Sequence, residues 1–294
     1  MKKYCYLLLV AIIVLLGAER CLYNSYIIAI EKNDEKKIDK IQDMPFISLN
    51  RCGGEGWMLS FLSEVECYTP LEAACIAGNL ESAETLISRG ADAGKTREGH
   101  FSTVYLILQT THANDLENLK LLIANGANPT GMTKTSALDE NSLQQISCRL
   151  VTTDQDSNEN VFAAGTYQEE TAAQSVEIYR YLEQEIGQDA PTNEVGETTL
   201  MHAVSFKNIA LVEYLLENGS SVNQSDEHGQ TAIFHLVDEE GIVYDDAWRK
   251  EIFDLLIHAG ADLTVKDKDG LSVLEYAERA GDDYMVSLLR DAMS

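Results

Sequence analysis

The sequence is poor in proline and in basic residues, and each shortage excludes something. Proline occurs 4 times among 294 residues, which leaves little room for stiff linkers between domains. Lys and Arg total 22 against 48 Asp and Glu, so the formal net charge is −26. Such a chain repels the phosphates of nucleic acids and anionic lipid headgroups, and it favours basic partners. Acidity also keeps a protein soluble, and composition alone does not separate the two roles.

The sequence also contains a single long hydrophobic run, which lies at its N-terminus. Lys2 and Lys3 precede an uncharged apolar run of 15 residues, Tyr4–Ala18. A transmembrane helix needs about 20 such residues, whereas the apolar segment of a secretory signal peptide has about this length. We therefore predict a signal peptide over residues 1–18 and a protein exported to a bacterial periplasm.

Two alternatives to a cleaved signal stay open. Leu16 lies two positions before Ala18, where cleavage favours a small residue. An uncleaved signal-anchor would hold the protein at the membrane, facing the periplasm, with no other membrane contact. A lipoprotein signal is disfavoured because Cys21 follows Glu19 and Arg20 instead of small residues.

The stretch Asn193–Asn223 predicts a turn followed by two short helices. Gly196 opens it where the backbone needs a positive φ angle, and Thr198 is placed to cap a helix over Thr199–Ser205. Apolar residues at helical spacing then predict a second helix, Ile209–Asn218, ending before another glycine. A helix pair this short cannot bury both faces alone, so it requires similar pairs on either side.

The stretch resembles an ankyrin repeat, and related stretches recur along the chain. The family's opening motif, G-x-T-P-L-H-x-A, appears as Gly196-Glu197-Thr198-Thr199-Leu200-Met201-His202-Ala203. Similar openings begin at Thr69, Gly229 and Gly270. Glycines that close the repeats are spaced by 36, 61, 32 and 41 residues, scattered around the family period of about 33. They are Gly90, Gly126, Gly187, Gly219 and Gly260.

The resemblance implies an all-α fold, an ankyrin-repeat solenoid of about six to seven helix pairs with loop inserts. A degenerate capping repeat is expected over residues 24–45, since its charged outer side suits a terminal repeat. The array of repeats is expected over residues 69–294. Inserts at residues 151–171 and 238–247 both fall between the two helices of a repeat, which places them on one edge of the solenoid.

A further insert, residues 46–68, contains several glycines and the cysteines Cys52 and Cys67. Export would permit a disulfide between these two, which would staple the insert. Two free, partly buried thiols are the alternative, because the sequence does not give the Cα separation.

The sequence shows no catalytic motif. It lacks H-E-x-x-H, G-x-S-x-G and a Gly-rich phosphate loop. His202 and His235 occupy equivalent positions in two repeats, where a stacked pair would be able to bind a metal, but repeat periodicity alone explains the coincidence. The acids of residues 238–247 lack the alternating spacing of an EF-hand. We therefore expect no catalytic residue, no cofactor and no metal; an enzyme with its site in the inserts is a distant alternative.

Ankyrin arrays bind proteins through their fingers and their concave inner-helix face, so the resemblance implies a protein-binding module. Small exported repeat proteins of this kind resemble immunity proteins or accessory proteins of secreted toxins and phospholipases. We expect a module that masks, neutralises or chaperones another protein with a basic surface, and no binding to nucleic acid. A membrane-anchored periplasmic scaffold or stress-protection factor is the alternative.

Two groups of residues are candidates for contacting this partner. Apolar and aromatic residues in and beside the inserts, ringed by charge, have the composition of an interface hot spot, although they would equally suit a local core. They are Phe162, Tyr167, Ile242, Tyr244 and Trp248. The second group lies in the fingers and consists of Asp92, Asn128 and Asp262. Acidic residues around both groups would steer a basic partner and quicken its association.

Overall fold

The computed structural model describes the chain in ranges separated by gaps. They are residues 25–30, 32, 34–42, 49–50, 68–95, 102–108, 110, 112–130, 169–187, 195–237 and 246–294. The predicted signal peptide and nearly all of the residues in the three predicted inserts lie outside these ranges. Within them, no helix combines the length and the apolarity needed to cross a bilayer.

The predicted all-α fold is confirmed. The described residues form helices joined by turns, with one isolated β-bridge between Lys266 and Ser272. Residues 25–30 are helical. The α-helices that follow within the described residues are α1 (Glu35–Gln42), α2 (Pro70–Ile76), α3 (Leu80–Ser88), α4 (Thr103–Leu108), α5 (Asp115–Ala124), α6 (Glu169–Ile186), α7 (Thr199–Ser205), α8 (Ile209–Glu217), α9 (Asp246–His258), α10 (Val273–Ala280) and α11 (Asp283–Met293). A 3-10 helix, Ala232–Leu236, lies between α8 and α9.

The chain divides into two compact units, Met1–Asn128 with Thr133–Thr135 and Pro129–Met132 with Ser136–Ser294. In the first unit, α2 packs on α3 and α4 packs on α5, while α2 contacts α4 and α3 contacts α5. In the second unit, α7 contacts the 3-10 helix and α8 contacts both α6 and α9. First helices therefore stack on first helices and second helices on second helices, and this is how a short pair buries its remaining face.

The described residues of the stretch Asn193–Asn223 have the local structure that the sequence predicts. Gly196 adopts a φ of 76°, and Thr198 Oγ1 accepts a hydrogen bond from Met201 N at 3.2 Å. α7 has the predicted bounds. α8 ends at Glu217, one residue before its predicted end, and Gly219 follows with a φ of 86°.

The second helix of a repeat is capped by the side chain that precedes it. Asn79, Asn208 and Asp282 each accept a hydrogen bond, at 3.1 Å, from the backbone N–H three residues ahead. Such a cap satisfies one of the donors left unpaired at a helix N-terminus. The residue before each cap has a positive φ angle; these residues are Gly78, Lys207 and Gly281.

The core lies between the stacked helices. α8 buries Leu211, Val212 and Leu215, which were predicted on one side of this helix with Leu216, although Leu216 is only half-buried. α9 buries residues at the same spacing, and they are Ile252, Phe253 and Leu256. Each such side chain contributes about 1.5–3 kcal/mol when it leaves water.

Backbone hydrogen bonds join neighbouring turns of the second unit. Glu227 N donates to Val195 O and Lys268 N donates to His228 O, each at 2.8 Å. A Cβ atom on Gly229 would lie 3.1 Å from Lys268 N, and the φ of Gly229 is 75°. Glycine at this position therefore permits both the turn and the close approach of the next one.

Two helices begin earlier than the predicted inserts allow. α6 begins at Glu169, so the last residues of the predicted insert 151–171 are helical, and α9 begins at Asp246, inside the predicted insert 238–247. Both helices start with an acidic side chain, which the positive end of the helix dipole favours. That preference explains why these polar residues belong to the helix and not to the predicted insert.

Candidate functional site

The loops that follow α3, α5, α8 and α9 are called the fingers. The three finger residues predicted to contact a partner, Asp92, Asn128 and Asp262, are all exposed. Asp262 Oδ1 accepts hydrogen bonds from the backbone N–H of Thr264 at 2.8 Å and from its hydroxyl at 2.6 Å. These bonds hold the pKa of the Asp262 carboxyl below its ordinary value. The finger thus presents a fixed negative charge at neutral pH.

Asparagine side chains join successive fingers, and sequence reasoning missed them. Asn223 Nδ2 donates to Gly260 O at 2.9 Å, and Asn223 Oδ1 accepts from Asp262 N at 2.8 Å. In the first unit, Asn50 makes the same two bonds, to Gly90 O at 3.2 Å and from Asp92 N at 2.8 Å. A side-chain amide has both a donor and an acceptor, so each asparagine fixes the backbone that leads into a candidate contact residue.

Trp248 is the one predicted insert-edge residue that the described ranges contain. It lies on α9 and is half-buried, and the Nζ atom of Lys207 lies 4.8 Å from the centroid of its ring. The ring therefore contacts the preceding repeat through a cation–π interaction. Phe162, Tyr167, Ile242 and Tyr244 lie outside the described residues, so the predicted insert edge stays a prediction.

The predicted disulfide partners, Cys52 and Cys67, also lie outside the described residues, and that bond stays a prediction. Cys75, by contrast, is a free and fully buried thiol in α2. Its burial raises the pKa of the thiol, which disfavours the thiolate that nucleophilic chemistry needs. Cys75 serves as a small core residue.

A polar cluster lies where the first helices of two neighbouring repeats meet in the second unit. Its members, called the inner-face cluster, are Glu197, His202, Asp226 and His235. His202 Nε2 lies 3.0 Å from Glu197 Oε2, and one potential ligand atom from each of Glu197, Asp226 and His235 lies within 4.8 Å of the other two. Two carboxylates and an imidazole therefore converge on one point.

The two carboxylate oxygen atoms of Asp226 differ in their hydrogen bonding. Its Oδ1 atom accepts from the backbone N–H groups of His228 and Gln230, each at 2.8 Å, and so it fixes the turn that opens the repeat. Its Oδ2 atom is buried and has no hydrogen-bond partner, and the whole residue is only 8% exposed. A buried carboxylate oxygen without a partner is costly.

The imidazole of His235 is held neutral in this cluster. Burial lowers the pKa of His235 most strongly, with further lowering by His202 and His228, while Glu197 and Asp226 oppose the shift. His235 Nδ1 lies 3.1 Å from Ser205 Oγ, and that hydroxyl donates to Met201 O. When the single hydroxyl proton goes to Met201 O, the hydroxyl accepts from Nδ1–H, and in this tautomer Nε2 carries a lone pair.

Two family models match the sequence of this chain. The one described as "Ankyrin repeats (3 copies)" matches residues 170–267, and the one described as "Ankyrin repeat" matches residues 66–98. The chain contains ankyrin repeats. A comparison with curated proteins gives no match.

Solved ankyrin-repeat structures have the same fold. An ankyrin repeat domain from Acinetobacter baumannii is 21% identical, with a TM-score of 0.52, and the match covers 76% of this chain and 97% of that one. The ankyrin repeat domain of Bcl-3, described as a unique member of the IkappaB protein family, is 16% identical, with a TM-score of 0.51. That match covers 88% of this chain and 96% of the other. At these identities the likeness establishes the fold alone.

Ankyrin repeats indicate a protein–protein interaction module, in agreement with the sequence. Within the described residues, the fingers expose charged side chains and α8 exposes Glu213 and Glu217, whereas the first helices of the second unit are largely buried. Sequence reasoning found the finger residues and paired His202 with His235, but it missed Glu197 and Asp226. Glu197 lies one residue before the Thr198 cap, whereas Asp226 lies five residues before Thr231. The two carboxylates therefore occupy different positions in their repeats, and aligning the repeats gave no sign that they lie close together.

Proposed function

We propose that this ankyrin-repeat protein is an exported, non-catalytic module that masks or neutralises a partner protein with a basic surface. The observation that carries the proposal is the exposure of the finger carboxylates Asp92 and Asp262 on a chain with a net charge of −26. Each carboxylate is fixed by a bond from its own turn, Asp92 Oδ1 accepting from Gly94 N at 3.0 Å.

Fixed charges of one sign suit recognition of a basic surface. They lose little side-chain entropy when the partner arrives, because the turn has already ordered them. Their shared sign attracts a basic protein over several ångströms and raises the association rate, most strongly at low ionic strength. A masking protein benefits from fast association, because it must reach its partner before the partner acts.

Export rests on the N-terminal sequence, Lys2-Lys3 followed by the apolar run Tyr4–Ala18. The test is N-terminal sequencing of the protein recovered from the envelope fraction. We expect a mature chain that begins close to residue 19. An intact Met1 on membrane-bound protein would contradict the exported masking protein and support the membrane-anchored scaffold.

The partner is found by crosslinking in the envelope fraction followed by mass spectrometry, and the binding surface is then tested with the purified pair. Asp92→Asn with Asp262→Asn removes both finger charges, and the amide oxygen of each introduced asparagine keeps the acceptor that Gly94 N or Thr264 needs. Glu213→Gln with Glu217→Gln removes two exposed charges from α8 and is the matched control.

We expect the finger variant to associate several-fold more slowly at low salt and the α8 variant to match the wild type, with both differences fading at high salt. Equal rates for the two variants would exclude the fingers as the steering surface. A captured partner whose activity is unchanged by stoichiometric ankyrin-repeat protein would contradict masking.

A further inference from the structure

The inner-face cluster is built like a metal site. Among the residues that the structure describes, Glu197, Asp226 and His235 are the one group of three or more potential ligands whose ligand atoms lie within 4.8 Å of one another. Two repeats contribute to it, since Glu197 precedes α7 whereas Asp226 and His235 belong to the next repeat. The cluster therefore exists only when the two repeats are stacked.

Two buried atoms of the cluster have no hydrogen-bond partner, Asp226 Oδ2 and His235 Nε2. In the tautomer of His235 that donates from Nδ1 to the Ser205 hydroxyl, Nε2 carries a lone pair. Buried acceptors without a donor pay the full cost of lost hydration. A cation bound beside Glu197 would satisfy both atoms.

The surroundings resemble those of a metal site in two further ways. His202 Nε2 lies 3.0 Å from Glu197 Oε2 and would orient that carboxylate, as outer groups orient metal ligands. Asp226 Oδ1 is held by two backbone N–H groups, which fixes the direction of Oδ2. The ligand atoms are thus positioned before any ion arrives.

We propose that Glu197, Asp226 and His235 bind one divalent transition-metal ion of the Zn²⁺ type, which joins the two repeats. An imidazole nitrogen with two carboxylates suits Zn²⁺, whereas Mg²⁺ and Ca²⁺ prefer oxygen ligands alone. Three protein ligands leave one position of a tetrahedral ion for water or for a side chain of a bound protein.

The neighbouring repeats provide matched controls. Asp267 repeats the turn of Asp226, because its Oδ1 atom accepts from Leu271 N at 2.8 Å, but Tyr276 stands four residues after the Ser272 cap, where His235 stands after Thr231. Asp226→Asn and Asp267→Asn each keep the Oδ1 acceptor of the turn. Only Asp226→Asn removes a ligand.

The experiment is calorimetric titration of chelator-treated, full-length protein with Zn²⁺, with thermal unfolding as a second readout. We expect one Zn²⁺ per chain at this site, a raised unfolding midpoint, and at least tenfold weaker binding for Asp226→Asn and for His235→Ala. Asp267→Asn and His258→Ala should bind as the wild type does. Circular dichroism of each variant verifies that its helices are retained.

Co²⁺ provides an independent readout, because its visible spectrum reports the ligands. We expect the bands of a tetrahedral nitrogen and oxygen site without thiolate charge transfer, and their loss in His235→Ala. Zn²⁺ binding that is unchanged in both ligand variants, or absent from the folded wild type, overturns the proposal. A thiolate spectrum overturns it as well, since it places the ion on cysteine.

Discussion

Two neighbouring repeats open with the same kind of motif and fold their first helix differently. G-E-T-T-L-M-H-A-V gives α7, of 7 residues, whereas G-Q-T-A-I-F-H-L-V gives the 3-10 helix Ala232–Leu236, of 5 residues. Thr198 caps α7 through its side chain, but Thr231 makes no such cap. Val237 then turns to an extended backbone, with φ −74° and ψ 130°. The opening motif alone thus does not decide how far the first helix continues.

The second helices of the same two repeats differ in the opposite direction. α9 has 13 residues and α8 has 9. When the two helices are aligned on the closing glycines Gly219 and Gly260, the additional residues of α9 lie at its N-terminus. Trp248 and Arg249 are among these additional residues. Trp248 contacts Lys207 of the preceding repeat, and Arg249 pairs with Asp282 of the following one. The interrupted repeat therefore has a shorter first helix and added polar contacts to both neighbours.

The largest effect is expected when the contact to the following repeat is broken. Arg249 is 3% exposed and Asp282 is 8% exposed, so Arg249→Ala leaves a buried carboxylate without its cation. We expect a loss of about 3–5 kcal/mol. Amide hydrogen exchange in α9, α10 and α11 measures it, because repeat arrays open locally.

A second substitution determines whether the loss comes from the unpaired charge. Asp282→Asn keeps the Oδ1 atom that caps α11 by accepting from Met285 N, and asparagine is the residue that caps α3 and α8. Arg249→Met with Asp282→Asn should therefore recover most of the lost stability. A double variant as unstable as Arg249→Ala would show that Arg249 contributes through packing.

The next largest effect is expected at a buried leucine that the two repeats have in common. Leu215 in α8 is 3% exposed and Leu256 in α9 is 0% exposed, and each lies four residues before its closing glycine. Either leucine replaced by alanine should cost about 2–5 kcal/mol, because a cavity remains between the stacked helices. Urea unfolding followed by circular dichroism measures both losses.

The comparison of these two losses is more informative than either value. Similar costs would show that the insert leaves the core of its repeat unchanged. A loss below about 0.5 kcal/mol for Leu215→Ala would mean that α8 does not pack through this face. Losses in both variants, with the larger one for Leu256→Ala, would show that the interrupted repeat, with its shorter first helix, tolerates a cavity less well.

The fold was predictable where its causes are local. Thr198 as a cap, Gly196 and Gly219 as left-handed residues, and the apolar spacing of Ile209–Asn218 all act within one repeat, so the sequence locates α7 correctly and α8 to within one residue. The 3-10 helix was not predictable in this way. Its motif matches that of α7, and yet it ends at Leu236, where Val237 turns to an extended backbone.

The candidate site was predictable in part for a related reason. Asp92, Asn128 and Asp262 occupy the same place in each repeat, so one alignment finds them all. The inner-face cluster combines different places in two repeats, and only the stacking of those repeats brings Glu197 to Asp226. The equivalence of His202 with His235 follows from the repeat, and it gave no sign of the two carboxylates that lie beside these histidines.

The smallest effect concerns the two threonines that open these repeats. Thr198→Val keeps the shape of the side chain and removes the hydroxyl that accepts from Met201 N at 3.2 Å, so it should cost about 1 kcal/mol. Thr231→Val removes a hydroxyl that makes no side-chain cap, so it should change stability by no more than about 0.5 kcal/mol. The difference in the urea midpoint between the two variants measures the contribution of the cap directly, since both lose the same group at the same place in the motif. Equal losses would show that Thr231 also caps in solution, and that the 3-10 helix owes its shape to the insert alone.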